Sequence, residues 1–429
     1  MKKEYRIILY TSIFLLCVVA SIILVVKKSN SVYEEESKPK VVKHKSMLSM
    51  NLEQTAGSGD YKTVTQSSWP TEGYKFNAEL SKCENGSTLS WDDTKKAVIV
   101  SGNLSDKCYV YFDIYQPTLA EYIKSQYTGT QGENNIYYHD SDLANGAGDN
   151  SYRYAGANPN NFVCFGTTES PCPTDNLYRI IGVFGENYHG VTGKQLVKLI
   201  KYDYMTTDEL GTDGDYSQTY KEWGMDSTYK GTYGDGERIG VYYWNYKATG
   251  SATNTWSTSL LNKTNLNTNF INNIGTTWAN KIATVTWKVG GNTWANIGTK
   301  TSSVAYTNEI TNPVTTNTTD NATTYSAKIG LMYVSDYGFA ASPDAWTLTM
   351  SSYNNTTATN NNWMYMGLYE WTISRLADYS NYAFFVYHDG YVDFYNVNHD
   401  NGVRASFNLE SSVSYVSGSG SMSDPIVIN

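Results

Sequence analysis

The chain carries little charge for its length, since only 17% of its 429 residues are Asp, Glu, Lys or Arg and the formal net charge is −9. Binding to nucleic acid phosphates requires a basic patch, and the sequence has none. Polar character comes instead from Asn, Thr, Ser, Gly and 38 tyrosines, a mixture typical of the wet strand faces of β-rich extracellular proteins. We therefore expect no nucleic acid partner.

Catalytic signatures are also absent from the sequence. The five histidines occur in no H-E-x-x-H, G-x-S-x-G or Cys-His pattern, so we assign no catalytic residue and predict that the chain is not an enzyme. A glycosidase pair such as Asp344 and Glu370 stays open as an alternative, because the separation of two carboxylates depends on the fold.

Cysteine is scarce, with five in the whole chain. Cys17 lies in an apolar run, and the other four group by position as Cys83 with Cys108 and Cys164 with Cys172. Two local disulfides are the simplest pairing and agree with an oxidising, extracellular location. A zinc site is disfavoured because no histidine lies near either pair, and free thiols are a further alternative.

Residues 7–26, "IILYTSIFLLCVVASIILVV", contain no charge. A helix of this length spans about 30 Å, the thickness of the hydrocarbon core of a bilayer. We predict a cytoplasmic tail at residues 1–6, a single transmembrane anchor at residues 7–26, and an extracellular remainder held at the cell membrane. A cleaved signal peptide is the alternative, although no small-x-small cleavage site closes the run.

The remainder divides by composition into three parts. Residues 27–60 are charged and poor in aromatics, which predicts a flexible stalk. Residues 61–115 show strand–turn–strand patterns and predict a small all-β domain tied by Cys83 and Cys108. Residues 116–429 begin with a short helix near Pro117 and continue as strand-like runs with polar loops, which predicts an α+β body with an antiparallel core.

Two acidic, glycine-rich loops carry oxygen ligands, residues 140–150 and the turn with Asp213 and Asp215. The first departs from EF-hand spacing and has no Glu at the twelfth place. We predict no cofactor and no metal ligand, and a structural calcium ion is the alternative to two solvated loops.

The most unusual stretch is "NYAFFVYHDGYVDFYNVNHDNGVR", residues 381–404. Read as a hairpin with a two-residue turn at Asp389 and Gly390, it alternates between two sets of side chains. One parity is apolar, and the other consists of tyrosines and aspartates: Tyr387, Asp389, Tyr391, Asp393 and Tyr395. Tyrosine, asparagine, aspartate and serine are typical of binding loops, and an ordinary wet β-face is the alternative.

From about Tyr74 onward, the chain resembles a family of membrane-anchored surface proteins from low-GC gut bacteria. The resemblance rests on segments such as "YRYAGANPNNFVCFG", "KIGLMYVSDYG", "NWMYMGLYEWTISR" and "VRASFNLESSVSYVSGSGSMSDPIVIN". The C-terminal part is similar to the variable proteins of diversity-generating retroelements, in which an error-prone reverse transcriptase randomises adenines in a C-terminal cassette. The resemblance implies a C-type-lectin-like fold for residues 116–429, with a variable region at about residues 377–405.

Carried over position by position, the resemblance implies a set of diversified, ligand-binding residues and a set of framework residues. The implied ligand-binding residues are Asp378, Tyr379, Ser380, Asn381, Tyr382, Tyr387, His388, Asp389, Tyr391, Asp393, Tyr395, Asn396, Asn398, His399, Asp400 and Asn401. The implied framework residues are Trp371, Phe384, Phe385, Val386, Gly390, Val392, Val403, Arg404, Phe407 and Leu409. Ala405 departs from the family pattern, which has Pro there, and the sugar-binding motifs of calcium-dependent lectins are absent.

These observations lead to a prediction about function. We expect a surface-displayed, receptor- or adhesin-like protein that binds an extracellular protein or glycan through its C-terminal hairpins. The alternatives are a structural cell-envelope protein without a dedicated ligand and an extracellular carbohydrate-active hydrolase.

Overall fold

The computed structural model describes residues 48–65, 67–71, 73–103, 105–219, 229–233, 238–248, 252–313 and 322–429. The predicted cytoplasmic tail and membrane anchor, and the predicted stalk up to residue 47, lie outside these ranges. Within them, no helix combines the length and the apolar character that crossing a bilayer requires. The chain divides into two compact units, Met1–Gln116 and Pro117–Asn429.

The described part of the first unit is built from strands. They are β1 (Leu48–Glu53), β2 (Tyr61–Val64), β3 (Tyr74–Cys83), β4 (Thr88–Asp92), β5 (Ala97–Ser101) and β6 (Cys108–Ile114). Four of them form a sheet in the order β2-β1-β6-β3, and β4 and β5 form a hairpin. The core contains Met50, Leu52, Trp69, Val110 and Phe112.

This sheet corrects one boundary expected from the sequence. Residues 48–60 were predicted to belong to the flexible stalk, but β1 lies between β2 and β6 and pairs with β6 in parallel. Met50 and Leu52 are buried in the core of the first unit, although the charged sequence around them does not suggest a folded strand. The predicted disulfide between Cys83 and Cys108 is present and joins β3 to β6.

The second unit is mixed α+β and consists mainly of sheets, as the sequence predicts. Its α-helices are α1 (Leu119–Ser125), α2 (Glu186–His189), α3 (Thr207–Leu210), α4 (Ile271–Ala279), α5 (Ser302–Tyr306), α6 (Val334–Phe339) and α7 (Thr356–Thr359). Short 3-10 helices cover Glu133–Asn135, Thr174–Asn176, Trp256–Thr258, Trp294–Asn296, Pro343–Thr347 and Met350–Ser352, and π-helical turns cover Leu261–Phe270 and Thr307–Thr311. Helix α1 begins after Pro117 with a capping box between Thr118 and Glu121, which satisfies backbone N–H groups that the first turn leaves unpaired.

Two larger sheets form the frame of the second unit. The strands of the first sheet are β7 (Ile136–His139), β8 (Ser151–Tyr154), β9 (Phe162–Cys164), β10 (Leu177–Phe184), β11 (Leu196–Lys201), β17 (Ile329–Gly330) and β22 (Ser406–Asn408). Their order is β17-β22-β11-β10-β8-β7, with β9 beside β10.

The strands of the second sheet are β12 (Tyr216–Thr219), β13 (Gly240–Tyr243), β15 (Gly291–Asn292), β18 (Glu370–Leu376), β19 (Tyr382–Val386), β20 (Val392–Asn396) and β21 (Asp400–Gly402). Their order is β12-β13-β21-β18-β19-β20, with β15 beside β18. Two small pairs complete the unit, β14 (Val285–Lys288) with β16 (Thr324–Ala327) and β23 (Tyr415–Ser417) with β24 (Val427–Ile428).

Central strands of both sheets are buried along their whole length. Every residue of β10, β11 and β18 is buried, because these strands have neighbours on both edges and side chains packed on both faces. The second predicted disulfide, between Cys164 and Cys172, is also present. This buried frame places the β19–β20 hairpin, the predicted binding element, at one edge of the second sheet.

Candidate ligand-binding face

The hairpin predicted from residues 381–404 is present, but its turn is longer than the two-residue turn expected. Strands β19 and β20 pair antiparallel from Tyr382 with Asn396 to Val386 with Val392. The Tyr387 N–H donates to the Tyr391 carbonyl oxygen, and the Gly390 N–H donates to that of Tyr387, both at 2.8 Å. Residues 388–390 therefore form a three-residue turn, and Gly390 takes the positive φ of 105° that its last position requires.

Gly390 fits this turn for a second reason. A Cβ atom placed there would lie 2.7 Å from Thr359 Cγ2 and 3.0 Å from the Tyr353 carbonyl oxygen. Both distances are shorter than van der Waals contact, so the tip of the hairpin packs against the body of the unit with no room for a side chain.

The backbone of the hairpin is held by buried side chains from elsewhere in the unit. The Tyr337 hydroxyl donates to the Gly390 carbonyl oxygen at 2.6 Å, and the Tyr365 hydroxyl donates to the His388 carbonyl oxygen at 2.7 Å. Both acceptors are backbone carbonyl oxygens, so neither bond depends on the identity of the His388 side chain. The turn can therefore keep its path while its exposed side chains change.

Asn254 does the same at the other end of β19. Its buried amide nitrogen lies 2.7 Å from the Leu376 carbonyl oxygen, 2.9 Å from that of Tyr379 and 2.7 Å from that of Tyr382. The connection between β18 and β19 is thus tied to a side chain that lies outside the predicted variable region. All three contacts again involve only the backbone of that connection.

One side of the hairpin carries a continuous aromatic surface, here called the tyrosine face, made of Tyr369, Tyr387, His388, Tyr391, Tyr395 and His399. The ring centroids of Tyr387 and Tyr391 lie 4.7 Å apart and stacked, and Tyr369 meets Tyr387 edge-on at 4.7 Å. Tyr395 meets His399 at 4.5 Å, and the buried Phe385 ring joins the two groups. The Tyr395 side chain is 48% exposed, so this side presents ring surface to solvent.

Other predicted site residues lie on the opposite side of the hairpin. Paired residues along an antiparallel ladder alternate between its two faces, so Tyr382 and Asn396 point away from Tyr395. Tyr379, which is 56% exposed, packs its ring against Tyr382 at 5.3 Å. The Asp378 carboxylate accepts a 3.1 Å hydrogen bond from the Trp294 backbone N–H. The structure therefore splits the predicted set between two surfaces.

The remaining predicted residues surround the turn and the end of β20. Ser380 is exposed, and the partly exposed set comprises Asn381, Asp389, Asp393, Asn398 and Asp400. The Asp400 carboxylate accepts a 2.6 Å hydrogen bond from the Ser217 hydroxyl on β12. Asn401 does not fit the prediction, because its side chain is 1% exposed and lies inside the β13–β21 ladder.

Burial separates the two sets that the resemblance implies. All ten framework residues are buried, and fifteen of the sixteen implied ligand-binding residues are at least partly accessible, Asn401 being the exception. Arg404 illustrates the framework, since it donates to both carboxylate oxygens of the buried Glu370 at 2.8 and 2.9 Å. Changes at the accessible positions would leave this internal packing intact.

The electrostatics of the tyrosine face favour neutral phenols. Burial, and then the nearby Asp393 carboxylate, raises the pKa of Tyr391 to about 12. Burial also raises the pKa of Tyr369 and that of Asp393. At neutral pH the phenols of Tyr369 and Tyr391 keep their protons, and each presents an apolar ring together with a hydroxyl able to donate or accept a hydrogen bond.

Sequence reasoning missed Tyr369, which lies at the centre of the tyrosine face. It directly precedes β18, 18 positions before Tyr387 in the numbering of the chain, and only the pairing of β18 with β19 brings it to the hairpin. The aromatic-rich segment "YMGLYEW" around it was the available signal, although such a pattern is equally typical of a core.

The residues considered for chemistry have other partners. Glu370, proposed as one half of a carboxylate pair, is engaged by Arg404. In the first acidic loop the Asp140 carboxylate accepts from the backbone N–H groups of Asp142 and Leu143, and Asp149 pairs with Arg153. Among the described residues, no group of three or more Asp, Glu, His or Cys side chains is arranged to hold a metal ion.

Comparisons of the chain with protein-family models, with curated proteins and with solved structures found no match.

Proposed function

We propose that this chain is a surface-displayed binding protein whose tyrosine face binds an extracellular protein or glycan. The observation on which this depends is the separation by burial: accessible Tyr, His, Asp and Asn side chains stand on a hairpin whose framework residues are all buried. Tyrosine supplies a large amphipathic contact area at a small loss of side-chain entropy, as in antibody binding loops.

Rigidity of the hairpin supports the same proposal. Tyr337, Tyr365 and Asn254 hold its backbone through carbonyl contacts, so little conformational freedom is left for a ligand to remove. A pre-organised surface loses less free energy on binding than one that must first become ordered.

The family resemblance extends this proposal. It suggests a C-type-lectin-like fold for the second unit, a single membrane anchor at residues 7–26, and diversification of the accessible hairpin positions by a retroelement. The mixed sheets and long polar loops are compatible with such a fold. On this proposal the body is extracellular, the ligand differs between variants of the chain, and no catalytic step is involved.

A triple variant tests the binding role. Cells that display the full chain are applied to arrayed extracellular proteins and glycans, and the spots to which they attach are recorded. Y387A/Y391A/Y395A should abolish attachment to those spots while display at the cell surface is unchanged, because interface tyrosines typically contribute about 2 kcal/mol or more each at the centre of a binding surface.

A second tyrosine cluster in the same unit provides the matched control. Tyr127, Tyr138 and Tyr152 are partly exposed and contact each other with ring centroids 4.6–5.9 Å apart. Y127A/Y138A/Y152A should leave attachment unchanged. Equal attachment by both triple variants and the unaltered chain would instead favour the structural cell-envelope protein, the rival proposal.

Diversification has its own test, which is the comparison of this gene between sister strains. We expect substitutions at the accessible hairpin positions, an invariant framework, and a neighbouring reverse transcriptase gene with a near-copy of the 3′ end. Substitutions spread evenly over the body that spare residues 378–401 would contradict diversification and leave the binding role to be decided by the attachment experiment.

A further inference from the structure

A cleft of about 470 Å³ opens beside the hairpin tip, at a place that the tyrosine face does not include. This volume falls within the range of small-molecule sites, roughly 300–1,000 Å³. Its lining combines aromatic rings, side-chain amides and two cations, Arg179 and Lys230. None of the described residues that line it is acidic, although the chain as a whole has a net charge of −9.

Arg179 is the most unusual group in this cleft. Its guanidinium lies between the rings of Phe162 and Trp363, at 4.4 and 4.6 Å from their centroids, and the residue is 5% exposed. Its three hydrogen-bond acceptors are all neutral: the Asn161 side-chain oxygen at 2.7 Å, the Pro159 carbonyl at 3.1 Å and the Trp363 carbonyl at 3.3 Å. A guanidinium has five N–H donors, so two are left without an acceptor among the described residues.

Two other buried arginines of the unit, Arg153 and Arg404, each pair with a carboxylate. Arg375 has no carboxylate partner among the described residues, as is the case for Arg179, but it does not line the cleft. Burial lowers the pKa of the Arg179 guanidinium to about 9, so the group keeps its charge at neutral pH in surroundings that disfavour it. An anion in the cleft would offset that desolvation.

Lys230 supplies a second cation at the mouth. Its ammonium lies 4.5 Å from the centroid of the Tyr365 ring and donates to the Thr359 carbonyl oxygen at 2.9 Å. The residue is exposed, which leaves its other N–H donors accessible to a ligand. One buried and one exposed cation therefore occur in the lining of the same cleft.

We propose that this cleft binds a sugar acid, with its carboxylate on Arg179 and Lys230. Planar guanidinium groups recognise carboxylates through paired hydrogen bonds. The exposed amides of Asn158, Asn160 and Asn360 line the rim, where they can form hydrogen bonds with the hydroxyl groups of the sugar ring. The aromatic side chains of the lining can pack against the apolar face of that ring.

The cleft is distinct from the diversified surface but adjoins it. Every lining residue lies outside residues 378–401, so this site would stay constant while the hairpin changes. Tyr365 connects the cleft to the hairpin, since it lines the cleft and donates to the His388 carbonyl oxygen. A constant site for a sugar acid beside a variable surface would let different variants attach to one class of acidic glycan.

The test is calorimetric titration of the purified full chain with glucuronate, with its methyl ester and with glucose. We expect saturable binding of glucuronate and a loss of at least about tenfold in affinity for both neutral compounds, since a charge-assisted hydrogen bond contributes roughly that factor or more. Equal affinity for glucuronate and its ester, or no saturable binding of glucuronate, would overturn the proposal. Equal affinity for inorganic phosphate would also overturn it, because the ring would then contribute nothing.

Two variants and a control locate the site. Lys230→Gln should weaken glucuronate binding about tenfold with no change in thermal midpoint, because the side chain lies at the mouth. Arg179→Lys keeps one charge but loses the planar fork, and should weaken binding further. Lys281→Gln, which removes a lysine 5.7 Å from the Trp278 ring elsewhere in the unit, should have no effect.

Comparison with the hairpin variant separates this proposal from the binding role of the tyrosine face. Y387A/Y391A/Y395A should retain glucuronate binding even where attachment to the arrays is lost. An unchanged glucuronate affinity in Lys230→Gln, with native stability, would overturn the cleft site and leave the tyrosine face untouched.

Discussion

The Tyr337 hydroxyl, on α6, donates a 2.6 Å hydrogen bond to the carbonyl oxygen of Gly390 at the hairpin tip. Both groups are buried, so the core of the second unit and the turn that carries His388 and Asp389 are joined by a bond from which water is excluded. The turn is therefore part of the rigid body of the unit.

Tyr337→Phe should lower the free energy of unfolding by about 1–2 kcal/mol, because the buried Gly390 carbonyl oxygen loses its partner. Urea denaturation of the full chain measures the change. Tyr138→Phe is the matched control, since its hydroxyl bonds the Asn150 side chain in an exposed place and its loss should cost less than about 0.5 kcal/mol. Equal losses for the two variants would show that the tip is not anchored.

Gly390→Ala should destabilise the unit by about 2–5 kcal/mol, because a strained backbone angle adds to a steric clash with Thr359 and Tyr353. Gly193→Ala provides the comparison: Gly193 has a φ of +67° but no heavy atom within 4 Å of its added Cβ. It should cost only about 1–2 kcal/mol. If the two variants have the same denaturation midpoint, Thr359 and Tyr353 can move away from the added methyl group at little cost.

The contribution of His139 to stability should fall as the pH drops below about 6.5. Burial, and then the charge of Arg153, lowers the pKa of His139 well below its usual value of 6.5. The unfolded chain therefore binds a proton that the folded chain does not, and each pH unit below 6.5 should cost about 1.4 kcal/mol from this group. The loss ends where the pH reaches the folded pKa.

His139→Gln tests that assignment through the slope of unfolding free energy against pH between 6.5 and 5.5. The slope should decrease without vanishing, because burial also lowers the pKa of His189. A variant with the same slope as the unaltered chain would place the proton uptake elsewhere.

Removal of the Cys164–Cys172 disulfide should destabilise the second unit by about 2–3 kcal/mol, as the loop-entropy relation gives for its sequence separation of 8. Removal of Cys83–Cys108, with a separation of 25, should cost about 3–4 kcal/mol in the first unit. Hydrogen exchange of the two double-serine variants, read by mass spectrometry of peptides, assigns each effect to its unit. The assignment would be refuted if peptides of the second unit exchanged faster in the variant that lacks Cys83 and Cys108, but not in the variant that lacks Cys164 and Cys172.

Local patterns predicted several elements of this fold. The segment that starts at Pro117 predicted the short helix α1, because a helix start depends on residues within one turn. The alternation from Phe384 to Tyr395 predicted the β19–β20 hairpin, because side chains of a strand alternate between its faces. The positions of the four cysteines other than Cys17 predicted both disulfides.

Predictions failed where the deciding contact comes from a distant segment. The charged surroundings of Met50 and Leu52 suggested a stalk, and only pairing with β6 shows that they are core residues. Asn401 matches the exposed pattern in sequence, yet it pairs with Tyr242 of β13 and is 1% exposed. The turn at Gly390 is one residue longer than its sequence suggests, and it contacts Tyr353, Thr359 and Tyr337, which are distant in the sequence.

The amino-acid sequence by itself determined which side chains alternate along the hairpin, where α1 begins and which cysteines lie near each other, since each depends on neighbours a few residues apart. Only the tertiary structure decided that Tyr369 joins Tyr387, that the predicted site divides between two sides of the hairpin, and that Arg179 and Lys230 line one cleft free of carboxylates among its described residues. Tyr369 and Tyr387 are 18 positions apart in the chain, and Arg179 and Lys230 are 51 positions apart. Their geometry is set by sheet order and side-chain packing, which local residue patterns do not encode.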